Sequence, residues 1–131
     1  AERGVPFAFN SHFPIVTVKP LRLVLATPEP QRLGLVERLF RAAWVEGRDL
    51  ASVDELRALA AEAAVDASAI ERIDAPEIKD ALRAGAAAAE AAGVFGVPTF
   101  DVGEERFWGQ DRLEQVEAEI LRQGGIREEC A

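Results

Sequence analysis

Between Pro6 and Asn10 the chain alternates, with Phe7 and Phe9 on one side and Ala8 on the other, which predicts a short strand with one buried face. Beyond His12-Phe13-Pro14 the period becomes helical. Leu21, Val24 and Leu25 recur at helical spacing between about Thr17 and Ala26. Pro28 and Pro30 end that run, because an interior proline removes a backbone donor and clashes with the preceding turn. Pro30 fits the first turn of the next helix, where its missing N–H costs nothing. In that helix Leu33, Val36, Phe40, Ala43 and Trp44 are predicted to form the inward stripe, and Gly47 to stop it.

Ser52, with Glu55 three residues later, is a capping box that opens a helix through Ala64. Asp66 is expected to cap a short helical turn around Ala69 to Ile73. Asp74-Ala75-Pro76-Glu77 starts a longer helix that Gly93 ends. The pattern then returns to strand. Pro98 to Val102 and Arg106 to Trp108 flank Gly103-Glu104, a two-residue loop whose leading glycine suits a type II′ hairpin. Asp111 begins a last amphipathic helix, with Leu113, Val116, Ile120 and Leu121 predicted inward and Gly124-Gly125 at its end.

The order is therefore one strand, four or five helices, a hairpin and a helix, without internal repeat or flexible linker. One short strand and a hairpin make a poor sheet to carry the helices, and a gap inside a sheet leaves costly unpaired backbone groups. The sequence has no Met and reaches the first predicted strand within a few residues of Ala1. The expectation is that a further strand belongs upstream, either in a short removed segment or in the earlier part of a longer protein.

Composition narrows the class. A chain of 131 residues is long enough for one domain with a sizeable core. Its 24 Ala favour helix. A net charge of -8 and a pI near 4.7 repel phosphate backbones, which disfavours nucleic acid as a partner. No apolar run reaches the roughly 18 residues of a membrane span, and the pattern of a signal peptide is not present. One His and one Cys cannot assemble a protein-only zinc site or an internal disulfide. With its single Cys130 in a polar tail, the chain is expected in a reducing, cytoplasmic compartment.

Two segments carry chemistry. In Gly93-Val94-Phe95-Gly96-Val97-Pro98-Thr99-Phe100, Pro98 enters a strand from a glycine-flanked loop. It is either an ordinary trans proline at an edge-strand start or a cis proline, which would turn the preceding backbone outward to pair with an extended peptide ligand. In Phe107-Trp108-Gly109-Gln110-Asp111-Arg112 the chain leaves the hairpin and starts a helix. Asp111 is either a first-turn acid favouring the helix dipole or part of a site for an amino-acid head group. In the second case free N–H groups hold the carboxylate and Asp111 holds the ammonium.

Together these segments resemble the C-terminal signature of 2-hydroxychromene-2-carboxylate isomerases, relatives of kappa-class glutathione transferases in the DsbA-like branch of the thioredoxin fold. His12-Phe13-Pro14 and the stretch Arg41 to Leu50 are similar to the same family. The resemblance implies an α/β, thioredoxin-like (DsbA-type) fold with the first strand and first helix missing from this chain. It implies one partial domain over 1–131, a helical insertion over 17–92 and a ββα half over 93–124. It also implies glutathione as cofactor, a small aromatic substrate and a homodimer. Val97, before cis Pro98, would pair with the cysteinyl part of glutathione. Gln110 and Asp111, with Trp108 and Gly109, would hold the γ-glutamyl end.

The family's thiol-activating serine has no match here, so a catalytic residue is expected upstream and none in this chain. Ser11 follows a strand and Ser52 is a helix cap; neither substitutes for it. Val16 stands where the resemblance implies a polar Asn. His12 is either a cleft residue or a packing residue, and Phe40 and Trp44 are expected in the core. The acidic runs Asp74 to Asp80 and Glu114 to Glu119 read as solvated helix faces. The expected function is glutathione-dependent cis–trans isomerisation of an aromatic-degradation intermediate. The alternatives are a DsbA-like thiol–disulfide oxidoreductase, which needs C-x-x-C upstream, and a non-catalytic binding module.

Overall fold

The computed structural model describes residues 4–125, which fall into two compact units that divide between Gly85 and Ala86. Cys130 and Arg127 lie outside the described residues. The first unit is helical: α1 (Val18–Ala26), α2 (Glu29–Trp44), α3 (Val53–Glu62), α4 (Ala67–Glu71) and most of α5 (Pro76–Ala91). The second holds the end of α5, strands β1 (Thr99–Val102) and β2 (Glu105–Trp108), a 3-10 turn (Gln110–Arg112) and α6 (Leu113–Arg122).

Local chemistry sets most of these limits. Pro28 precedes α2 and Pro30 sits in its first turn, while Gly47, at φ 66°, reverses the chain after it. The Ser52 hydroxyl accepts the Glu55 N–H at 3.4 Å, and the Asp66 carboxylate accepts that of Ser68 at 2.8 Å. The predicted caps therefore stand, but the capping box is half made: the Ser52 N–H donates to the Asp49 carbonyl, and the Glu55 carboxylate accepts from Arg48 instead. The helix after Ser52 closes slightly earlier than expected, at Glu62, with Ala64 left-handed at φ 55°.

The first unit's core is built on Leu23, Leu35, Leu56 and Leu59, all fully buried, with Leu39, Ile70, Ile73 and Ile78 around them. Burying one such side chain contributes about 1.5–3 kcal/mol. This corrects the predicted stripes. In α1 the buried residues are Pro20, Leu23 and Ala26, and in α2 they are Leu35, Leu39, Ala42 and Ala43. Leu33 and Phe40 are largely exposed. Leu21, Val24, Val36, Phe40 and Trp44 line a half-open apolar cavity of about 230 Å³ between α1 and α2. Both helices carry apolar residues on two adjacent stripes, and a 3.6-residue period fits either one.

The predicted strand over Pro6 to Asn10 is also corrected. These residues form no ladder with any described strand, and Phe7 and Phe9 are mostly exposed. A strand is defined by its pairing, and here the alternation is spent on rings instead. Phe7 stacks on Trp44 with centroids 5.8 Å apart, Phe9 packs on Phe13 at 5.3 Å, and the Ala8 N–H donates to the Trp44 carbonyl at 2.6 Å. The segment ends in Asn10, which is fully buried. Its Nδ2 donates to the carbonyls of Ala43 (2.9 Å) and Arg48 (3.0 Å), and its Oδ1 accepts the His12 N–H (2.8 Å).

In the second unit β1 and β2 form an antiparallel pair in the register Thr99↔Trp108, Phe100↔Phe107, Asp101↔Arg106, Val102↔Glu105. Gly103 has φ 61° while Glu104 is not left-handed, as a type II′ loop requires. The described residues are thus mostly helical with one two-stranded sheet. On α6 only Val116 is buried. Leu113 and Ile120, predicted inward, are exposed, so the final helix covers less of its apolar face than expected.

Candidate functional site

The site is built around the β1–β2 pair, which brings together both ends of the segment from Gly93 to Asp111. α5 closes with the Gly93 N–H on the Glu90 carbonyl (2.8 Å) and the Val94 N–H on the Ala89 carbonyl (2.9 Å), and Gly93 is left-handed at φ 79°. The loop that follows reaches a cis Val97–Pro98 bond. The Thr99 hydroxyl donates to the Gly96 carbonyl at 2.6 Å, and the Gly109 N–H donates to the Pro98 carbonyl at 3.0 Å.

Val97 is 88% exposed, and no backbone partner of its N–H or carbonyl is found among the described residues. Next to it, the ring of Phe95 packs on the Trp108 indole with centroids 5.0 Å apart. A Cβ on Gly96 would stand 2.4 Å from Trp108 Nε1, so the close approach of the indole to the loop requires glycine. Gly109 is equally constrained. It is left-handed at φ 107°, and a Cβ there would stand 2.4 Å from Asp111 Oδ1.

Gln110 and Asp111 lie exposed in the 3-10 turn that opens α6. The Arg112 N–H returns to the Gly109 carbonyl at 3.2 Å, and Arg112 Nε is 3.7 Å from an Asp111 carboxylate oxygen. The turn thus presents a carboxylate and backbone donors to solvent, the two features that an amino-acid head group needs. The structure brings Val97, Pro98, Trp108, Gly109, Gln110 and Asp111 into one unit. His12 and Val16 belong to the other unit, where both are exposed. Trp44 is partly buried against the core, as expected, and also lines the α1–α2 cavity, whereas Phe40 lines that cavity and is largely exposed.

Arg106 was missed by the sequence reasoning. Its Nε and Nη2 donate to the two carboxylate oxygens of Asp101 at 2.6 and 2.9 Å, and its Nη1 donates to the Ala92 carbonyl. The guanidinium holds the Asp101 carboxyl below its ordinary range. The signal was present: counted outward from the Gly103-Glu104 loop, residues 101 and 106 must face each other as a charge pair. Among the described residues no group of three or more His, Cys, Asp or Glu side chains is placed to hold a metal ion. No described helix is long and apolar enough to cross a membrane.

Comparison with known proteins gives three findings. The DSBA-like thioredoxin domain family matches residues 1–121. The 2-hydroxychromene-2-carboxylate isomerase of Sphingobium xenophagum is 32% identical over 122 residues, covering 92% of this chain and 62% of that protein. A solved structure of selenomethionyl 2-hydroxychromene-2-carboxylate isomerase aligns with a TM-score of 0.78 at 28% identity, over 92% of this chain and 59% of that one. The chain thus spans about three fifths of the length of these relatives.

Proposed function

Given that the chain belongs to the DSBA-like thioredoxin domain family and is a homologue of 2-hydroxychromene-2-carboxylate isomerase, we propose that it carries half of a glutathione site in an isomerase of that type. The observation that carries the reading is the Gly109–Pro98 main-chain bond. It joins the residue after the exposed Val97 to the residue before the Gln110-Asp111 turn.

In this reading the cysteinyl part of glutathione pairs with the Val97 backbone as a short strand would. The α-carboxylate of the γ-glutamyl end lies on the backbone donors of the 3-10 turn, and its ammonium on Asp111. Gln110 supplies an amide to the same head group, with Trp108 and Gly109 shaping the wall. Thiol activation is assigned to the part of the relatives' length that this chain does not span.

The chemistry needs little from a protein acid or base. A glutathione thiolate adds to a conjugated double bond of a small aromatic substrate, forming a C–S bond as the electron pair moves onto the conjugated carbonyl oxygen. Rotation about the resulting single bond follows. The electron pair then returns, the C–S bond breaks, and the thiolate leaves with the product isomerised and glutathione unconsumed. Orientation and stabilisation of the thiolate are the protein's contribution. The same reading takes 17–92 as a helical insertion, 93–124 as the ββα half of one thioredoxin-like domain, and a homodimer in the cytoplasm as the working state.

Calorimetric titration of the chain with glutathione tests the site. Binding is expected, weakened about tenfold in Asp111→Asn, the size of one charged hydrogen bond, and weakened also in Gln110→Ala. No heat of binding, or affinities unchanged in both variants, would overturn it.

A further inference from the structure

We propose that Arg106 is a positioning residue, tying the end of α5 to the hairpin and so setting the loop that offers the Val97 backbone to glutathione. The inference rests on the site reading above. Arg106 and Asp101 are directly opposed across β1 and β2, and the carboxylate takes up Nε and Nη2 at 2.6 and 2.9 Å. That bidentate grip fixes the guanidinium plane and leaves Nη1 aimed at the carbonyl of Ala92. This carbonyl belongs to the last turn leading out of α5, where helix carbonyls have no partner further along the helix. A cation there also favours the negative end of the helix dipole.

The loop is therefore held at two ends. Arg106 fixes its start at Ala92, immediately before the turn in which the Gly93 and Val94 N–H groups return to Glu90 and Ala89. The Thr99 hydroxyl and the Gly109 N–H fix its finish, on the carbonyls of Gly96 and Pro98. Val97 projects between the two anchors. Only a guanidinium can grip a carboxylate with two N–H groups and still reach a third acceptor; a lysine ammonium is a point charge without that fork.

Arg106→Ala and Asp101→Asn separate this role from general support of the hairpin. The Asp101→Asn change breaks the ion pair, but its amide oxygen still accepts a bond from Nε and leaves Nη1 on Ala92. The Arg106→Ala change loses both. Glutathione titration, run well below the melting temperature, is expected to show affinity about fivefold weaker in Arg106→Ala, the size of one hydrogen bond. In Asp101→Asn, which loses the Nη2 bond and loosens the grip but keeps Arg106 in place, the loss should be clearly smaller, although both variants melt earlier. Amide exchange at Val94 is expected to quicken most in Arg106→Ala. Equal loss of affinity in both variants, or unchanged affinity and Val94 exchange in Arg106→Ala, would overturn the proposal. If the unsubstituted chain bound no glutathione, the site reading would fail, and the Val94 comparison would still decide whether Arg106 sets the loop.

Discussion

The backbone N–H of Gly109 donates to the carbonyl of Pro98 at 3.0 Å, extending the β1–β2 ladder one step past the Thr99↔Trp108 pair. That single bond makes neighbours of two segments about ten residues apart in sequence. In the proposed site, a peptide paired with the Val97 backbone would reach toward Gln110 and Asp111. The rest of the local architecture keeps this junction open: glycines stand at 96 and 109, and each lets a side chain approach the backbone closely.

Gly96→Ala tests that approach. The added methyl would stand 2.4 Å from Trp108 Nε1 and 3.1 Å from its Cε2. Trp108 is about half exposed, so the indole can swing outward and leave the backbone in place. The cost is the contact with Phe95, on the order of 0.5–1.5 kcal/mol for an aromatic pair. In a Trp44→Phe background, which leaves Trp108 as the only indole, the emission is expected to shift to the red. An unshifted spectrum would show that the ring does not depend on Gly96.

Asn10→Ala is expected to be among the most damaging single changes in the first unit. The amide satisfies the Ala43 and Arg48 carbonyls and the His12 N–H from a fully buried position. Removing it strands those groups, at about 1–3 kcal/mol for each that water cannot reach. A urea titration should show the midpoint fall clearly, and a shift within error of the unsubstituted chain would contradict the assigned network.

The helices and turns were legible because their signals are local. Ser52 and Asp66 cap, Pro28 and Pro30 punctuate, and Gly103 permits its loop, all through contacts within a few residues. The candidate site was legible for a related reason: Val97-Pro98 and Gly109-Gln110-Asp111 are contiguous motifs, and a two-residue hairpin fixes how their flanks pair. What failed depended on distant partners. The alternation at Phe7 and Phe9 describes a strand only where another strand lies beside it. The choice between Leu35 and Leu33, or Leu39 and Phe40, depends on where α1 and α3 sit. Arg106 was overlooked because its role appears only once the hairpin register and the end of α5 are placed together.

That choice of stripe can be measured. Leu56 is fully buried, whereas Phe40, predicted inward, is 62% exposed. Leu56→Ala should lower stability by about 2–5 kcal/mol, the transfer loss plus the cavity left behind. Phe40→Ala should stay within about 0.5 kcal/mol, as for surface changes. Chemical denaturation of the two variants decides whether Phe40 belongs to the core as the sequence pattern predicted, in which case its loss would also cost several kcal/mol.

Acid should act through carboxylates that arginines hold ionised. Arg122 and Gln123 donate to Glu119 at 2.6–2.7 Å and bring its carboxyl down to about 2 from the ordinary 4.5. In the first unit Arg38 lowers Glu46, while Arg48, joined by Arg38, lowers Glu62. A group whose pKa is depressed by folding binds fewer protons in the native state than in the unfolded one. Its contribution is therefore complete above the unfolded value and is lost as pH falls toward the folded one. Thermal midpoints are expected to be flat at mildly acidic pH and to decline between about pH 4.5 and pH 2. Glu119→Gln isolates one member of the set. Gln123 Nε2 also donates to the Val102 carbonyl at 3.1 Å, so loss of the carboxylate loosens the link between α6 and the hairpin. The difference in midpoint between the unsubstituted chain and Glu119→Gln should hold constant above about pH 5 and shrink as pH approaches 2. A difference that instead widens in acid would mean that Glu119 is destabilising when charged, the opposite of its geometry.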